Sequence, residues 1–200
     1  MKADPAPWAS ATVVCIASGP SLTLADVAAV QAWRNAPEPP QPRRVVVANT
    51  SFLAAPWADA LFAMDAKWWK VHWAEVAATF QGHRYSTAPL PINYGVQRLG
   101  RGRFQEYRNS GAGCVSLAAH LGAATVLLLG FDCRHAADGR THWHGSHPAG
   151  LGDAVSVARW PAKFAELARA MKPRLRVVNC SRDTALDCFE RGALEEFLHP

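Results

Sequence analysis

TVVCIASGPS, residues 12–21, joins an apolar run to a tight turn and sets the architecture of the chain. Val13, Val14, Cys15 and Ile16 make an unalternated apolar run, the pattern of a strand buried on both faces of a parallel sheet. The run stops at Ser18-Gly19-Pro20-Ser21, and a helical pattern begins at once over Thr23–Trp33, with Leu24, Val27, Val30 and Gln31 at helical spacing. A strand that runs through a tight turn into a helix is the opening unit of an α/β sheet. Ligands of such sheets sit beyond the carboxyl ends of the strands, where helix N-termini offer N–H groups to phosphate. Gly19 allows close backbone approach, Pro20 fixes the turn, and Ser21 is placed to cap the helix.

The same rhythm continues outward. Strand-like runs recur at Thr12–Ala17, Arg44–Ala48, Ala60–Met64, Thr125–Leu129 and Arg174–Val178, with helical patterns at Ala66–Phe80 and Ser110–Leu121 between them. Val157, Trp160, Phe164, Leu167 and Met171 form an amphipathic stripe with Pro161 in its first turn. The alternation predicts an α/β fold: a single Rossmann-like, doubly wound, mostly parallel sheet over residues 1–200. Residues 1–10 read as a flexible N-terminus, and NAPEPPQP, 35–42, as a proline-rich loop in the first crossover. Residues 87–108, poor in apolar side chains and carrying Arg98, Arg101, Arg103 and Arg108, read as a lid or as a solvated loop.

Half of the 200 residues are hydrophobic and 18% are charged, the balance of an ordinary soluble domain. The net charge of +5 suits an anionic small ligand and is weak support for nucleic acid. Cys15, Cys114, Cys133, Cys180 and Cys188 are odd in number and form no C-x-x-C pair, which points to a reduced, cytoplasmic protein. MKADPAPWAS has no apolar signal core, and the longest apolar run, Ala123–Phe131, is too short to span a bilayer.

Polar residues collect where strands end. Ser18, Gly19, Pro20 and Ser21 follow the first strand, and Asn49 and Thr50 follow the second, where an Asn can read a ribose hydroxyl or a base edge. Asp65 closes the third, placed to bind a metal or an acceptor or to cap a helix. Asn109, Ser110 and Gly111 precede a helix whose N–H groups can hold phosphate. The densest cluster is Gly130-Phe131-Asp132 with the downstream loop Asp138–Pro148, in which Arg140, His142, His144 and His147 fall close together. Imidazole serves as a base near neutral pH, as a metal ligand, or, when charged, as a phosphate partner. The H-x-H-x-x-H spacing is similar to the metallo-β-lactamase zinc motif, but Ser146 stands where that motif has a ligating Asp, and the βαβ order excludes that fold. A single transition metal on His142, His144 and His147 stays open.

Two enzyme groups resemble this arrangement. Gly130, Asp132, Gly139, Arg140, Thr141 and His142 echo the G-x-D…G-K-T-H motif of the MptE-like domain of 6-hydroxymethylpterin diphosphokinase, with Arg for Lys. Ser18-Gly19-Pro20-Ser21-Leu22 matches the G-x-G-P-S-L loop of the sialyltransferases of glycosyltransferase family 42, except that Ala17 replaces its first glycine. Over nearly its whole length the chain resembles small proteins of tailed-phage and prophage genomes, through Trp57–Trp69, Thr141–Pro148 and Thr184–Leu194. That last resemblance places the protein in a host cytoplasm and brings no activity with it.

The enzyme resemblances imply a nucleotide-dependent transferase. One implied reaction is glycosyl transfer from a CMP-sugar, with His142 as base and His144 or His147 facing the phosphate. The other is pyrophosphoryl transfer from ATP, with Mg²⁺ on Asp65 and Asp132 and charge neutralised by Arg140. The expected nucleotide site is Ser18, Gly19, Pro20, Ser21, Asn49, Thr50, Asn109, Ser110, Gly111 and Arg140. The expected catalytic residues are His142, His144, Asp132 and Asp65, with no covalently bound cofactor. A nucleotide-sequestering protein without turnover and a nucleic-acid-modifying enzyme are the rival readings. Trp68, Trp69 and Trp143 are candidates for stacking on a sugar or base, or for packing.

Overall fold

A computed structural model of the chain describes residues 6–100, 104–148, 151–152, 156–172 and 174–198. Eight strands are found among them: β1 (Thr12–Ile16), β2 (Arg43–Ala48), β3 (Ala60–Phe62), β4 (His83–Ser86), β5 (Gln97–Arg98), β6 (Thr125–Leu129), β7 (Arg176–Asn179) and β8 (Glu190–Arg191). They make one sheet in the order β5-β4-β3-β2-β1-β6-β7-β8. Every neighbouring pair is parallel, so the expected doubly wound sheet is present without an antiparallel strand.

β1 is the centre. It pairs with β2 from Thr12↔Arg43 to Ile16↔Val47 and with β6 from Thr12↔Thr125 to Ile16↔Leu129. The chain winds from β1 out to β5, crosses back to lay β6 beside β1, and continues to β8. The reversal between β1 and β6 is the topological switch point, where sheets of this kind open a ligand crevice.

Among the described residues four α-helices cover the sheet: α1 (Leu24–Asn35), α2 (Ala66–Thr79), α3 (Ser110–Leu121) and α4 (Trp160–Met171). Alternate residues of β1 feed opposite faces, as the pleat requires. Val13 and Cys15 join Ala112, Leu117, Phe164 and Leu167 in one core cluster. Val14 and Ile16 join Val27, Val30, Trp33, Trp68 and Trp69 in the other. Burial on both faces is why these strands read as apolar runs.

Local chemistry sets the helix ends. Thr23 caps α1 and forms a capping box with Asp26. Asp26 is further held by Arg182 at 2.6 and 3.0 Å. Asn109 caps α3 by accepting from Ala112 N, and Gly122 closes it at φ +100°. Pro161 stands in the first turn of α4, where its missing N–H costs nothing. Gly113 has a packing reason: a Cβ there would lie 2.1 Å from Phe62 Cε1, so α3 presses directly on β3.

Several expectations need correction. Residues 6–10 are not loose: Trp8 is buried and its N–H donates to Leu121 O at 2.8 Å. Within 87–108, Gln97–Arg98 form β5, and Leu99 and Phe104 are buried in the core. Arg101 and Arg103 lie outside the described residues. Trp68 and Trp69 are core residues, 4% and 0% exposed, leaving no face for a ligand. No helix among the described residues is long and apolar enough to cross a membrane.

Candidate functional site

A cleft of about 600 Å³ opens at the switch point, lined from the carboxyl ends of β1, β2, β3 and β6 and from the first turns of α3 and α4. Ser18, Gly19, Pro20, Asn49, Asp65, Asn109, Ser110, Gly111 and His142 line it, so it gathers nine of the fourteen residues expected for nucleotide binding or catalysis. The other five are Ser21, Thr50, Asp132, Arg140 and His144. Each has a visible reason to lie elsewhere.

Ser21 and Asp132 hold each other. Ser21 N donates to Asp132 Oδ2 at 2.7 Å and Ser21 Oγ donates to Oδ1 at 2.8 Å. Asp132 is 1% exposed, and burial pushes its carboxyl up to about 6 despite those two bonds. Gly19 fits beneath it: a Cβ there would meet Asp132 Oδ1 at 2.3 Å and Gly130 O at 2.5 Å. Gly19 N donates to Gly130 O at 2.8 Å, and Gly130 itself sits at φ +67° with Ala17 O 2.4 Å from its would-be Cβ. The turn after β1 is thus bolted to the turn after β6. The Gly19 and Ser21 N–H groups and the Ser21 hydroxyl are committed inside the protein, and Pro20 has no N–H. The turn lines the cleft but offers it fewer N–H groups than its sequence suggests.

Thr50 accepts from Trp68 Nε1 at 3.2 Å beneath the surface. Arg140 pairs with Asp138 at 2.7 Å on an exposed turn that Gly139 closes at φ +84°. His144 lies in the histidine loop behind His142 and His147, and those two line the cleft.

The phosphate-ready feature is the start of α3. Asn109 accepts from Ala112 N at 3.1 Å, which leaves the first N–H groups of the helix, on Ser110 and Gly111, without intrahelical acceptors. They face the cleft with the positive end of the helix dipole behind them. Ser110 Oγ also accepts from Met64 N at 3.2 Å, tying α3 to the turn that carries Asp65.

Sequence reasoning missed part of the wall. Arg108, Arg134, Arg159 and Lys163 line the cleft, with Trp160 and Phe164 beside them. Lys163 Nζ donates to Arg108 O at 2.9 Å, and Arg134 pairs with Asp183 at 3.2 Å. The available signal was topological. A helix that follows β6 must start at the carboxyl edge, so Arg159, Trp160 and Lys163 in its first turns had to face the same crevice.

Asp65 precedes α2 but makes no capping hydrogen bond. Burial, and secondarily the charge of Glu106, raises its carboxyl above the usual aspartate range. It is the one carboxylate lining the cleft among the described residues. Those residues do not fit Mg²⁺: the second expected ligand, Asp132, is locked to Ser21, and a hard cation needs several oxygens. Asn49 follows β2 at φ +49°, and its Oδ1 is buried without a hydrogen-bond partner.

No family model and no curated protein sequence matches the chain. The resemblances to the MptE-like, family 42 and phage proteins therefore stand on their motifs alone. The chain is similar in structure to a Maf glycosyltransferase from Magnetospirillum magneticum AMB-1, with a TM-score of 0.69 over 98% of its length. Identity is 11%, and the match covers 35% of the longer protein. The likeness shows a shared α/β fold, and the chain spans about a third of the length of the protein it matches.

Proposed function

We propose that the cleft binds the phosphate of a nucleotide-activated sugar and that the protein transfers the glycosyl group to an acceptor hydroxyl. The observation that carries this reading is that the first turn of α3, with the Ser110 and Gly111 N–H groups, lines one crevice together with Arg108, Arg134, Arg159 and Lys163. The cleft holds four guanidinium or ammonium groups against one carboxylate among the described residues. That excess suits a leaving group that becomes more anionic as the glycosidic bond breaks. The fold shared with a glycosyltransferase adds support.

Asn49 suits a ribose or base edge, because its unpartnered Oδ1 accepts a hydroxyl or amine proton. Asp65 suits the general base: it lines the cleft, and its raised pKa makes it the better proton acceptor. His142 suits that task less, since its Nδ1 is already engaged with Ser18. Pyrophosphoryl transfer through an Asp65–Asp132 magnesium site finds no support in a locked Asp132. An extended basic groove for nucleic acid likewise finds none, because Arg98 is on an edge strand and Arg108 is in the cleft.

The test is a thermal-shift screen with CMP, CDP, UDP-sugars, CMP-sialic acid, ATP and GTP, each with and without Mg²⁺. Ligand at about a hundred times its Kd stabilises the fold by roughly 2.7 kcal/mol. A metal-independent shift with a nucleotide, lost in Lys163→Ala, supports the reading. Absence of a shift with every nucleotide overturns it.

A further inference from the structure

The histidine loop holds a second chemistry that glycosyl transfer does not require. His142, His144 and His147 each offer one ring nitrogen, and these three atoms all lie within 4.8 Å of one another. The ring centroids form a nearly equilateral triangle, with sides of 5.1, 4.5 and 5.0 Å. Gly145, at φ +88°, turns the chain so that His147 swings back against His142 and His144. Among the described residues, no carboxylate or thiol belongs to the cluster.

His142 is oriented from behind. Its Nδ1 lies 3.3 Å from Ser18 O and 3.1 Å from Ser18 Oγ. In the tautomer that donates Nδ1–H to this carbonyl, the lone pair lies on Nε2. Metal-binding histidines are held by this kind of backbone contact. His144 Nε2 is buried and has no hydrogen-bond partner. A buried, unpartnered imidazole nitrogen is costly unless something coordinates it.

We propose that His142, His144 and His147 bind one divalent transition metal of the zinc type. An all-imidazole set suits Zn²⁺, Co²⁺ or Ni²⁺ and not Mg²⁺ or Ca²⁺. Bonds of 2.0–2.1 Å in a tetrahedral site need nitrogens about 3.3 Å apart, so the loop closes by about 1.5 Å or less on binding. Three protein ligands leave one position for water or an anionic oxygen. Because His142 and His147 line the cleft, that position opens toward it. The proposal is independent of the glycosyl-transfer reading, since metal alone tests it.

The experiment strips the protein with a chelator, then titrates Zn²⁺ by calorimetry and Co²⁺ by visible absorption. One equivalent per chain with sub-micromolar Kd, and the absorption of four-coordinate Co²⁺, are expected. His144→Ala and the milder His147→Gln should each weaken binding by about a hundredfold or more, and the exposed control His83→Gln not at all. Circular dichroism establishes that each variant is folded, and His147→Gln decides the matter if His144→Ala is not. No stoichiometric binding by the parent protein, or binding unchanged in His147→Gln, overturns the proposal.

Discussion

Ser21 and Asp132 stand 111 positions apart in sequence, yet one carboxylate accepts both the backbone N–H and the hydroxyl of the serine, at 2.7 and 2.8 Å. The contact spans the two turns that flank the switch point, so it fixes the width of the cleft floor.

That clamp has a pH signature. The folded pKa of Asp132 is raised to about 6, so between the ordinary aspartate range and 6 the folded state holds a proton that the unfolded chain has released. Stability therefore falls as pH rises through that window. Comparing urea midpoints of the parent and Asp132→Asn at pH 4 and pH 7 should isolate roughly 2 kcal/mol of pH-dependent stability, larger at pH 4. Identical pH profiles for the two proteins would falsify the assignment of a raised carboxyl.

Gly19→Ala should destabilise the fold. Its methyl would fall 2.3 Å from Asp132 Oδ1 and 2.5 Å from Gly130 O, and the second is backbone with nowhere to go. A loss of roughly 1–3 kcal/mol is expected by chemical denaturation, together with weaker nucleotide binding. A variant as stable as the parent would mean that the two turns are not in contact.

Gly113→Ala tests α3 in the same way, since its Cβ would meet the Phe62 ring at 2.1 Å. It should cost roughly 1–3 kcal/mol. Adding Phe62→Leu should restore part of that loss, a coupling visible in a double-mutant cycle. Additive losses would count against the packing described for α3 on β3.

Asp65→Asn separates binding from chemistry. As the proposed base it should lower turnover by about 10²- to 10⁴-fold while nucleotide affinity stays within a few fold. Lys163→Met should do the reverse, weakening nucleotide binding by about tenfold as one charged hydrogen bond is lost. Calorimetry and initial rates on both variants distinguish the two outcomes.

The sheet was legible because burial on both faces writes itself as apolar runs: Val13–Ile16, Val45–Ala48 and Val126–Leu129 could hardly be anything else. β4, β5 and β8 were not legible. HRYS, QR and ER carry no run of their own, and they become strands through pairing with β3, β4 and β7. The cleft was legible where a polar residue directly follows a strand, as with Ser18, Asn49 and Asp65. It failed where a side chain found an internal partner from far along the chain. No local pattern announces that Asp132 belongs to Ser21 or Thr50 to Trp68. It failed also for Arg159 and Lys163, whose role depends on which edge of the sheet a helix begins.

The parallel pairing of β1 with β6, Thr12 against Thr125, gives the protein a birth order. A nascent chain that has not yet delivered residue 125 can lay β1 to β5 side by side, but the far flank of its central strand is bare. Gly130, Asp132 and His142 arrive later still, and until they do the turn after β1 has nothing to brace against. Closing contacts between such distant partners are slow to form. The crevice therefore cannot exist until β6 has paired with β1, and its competence to bind reports that this pairing has been made.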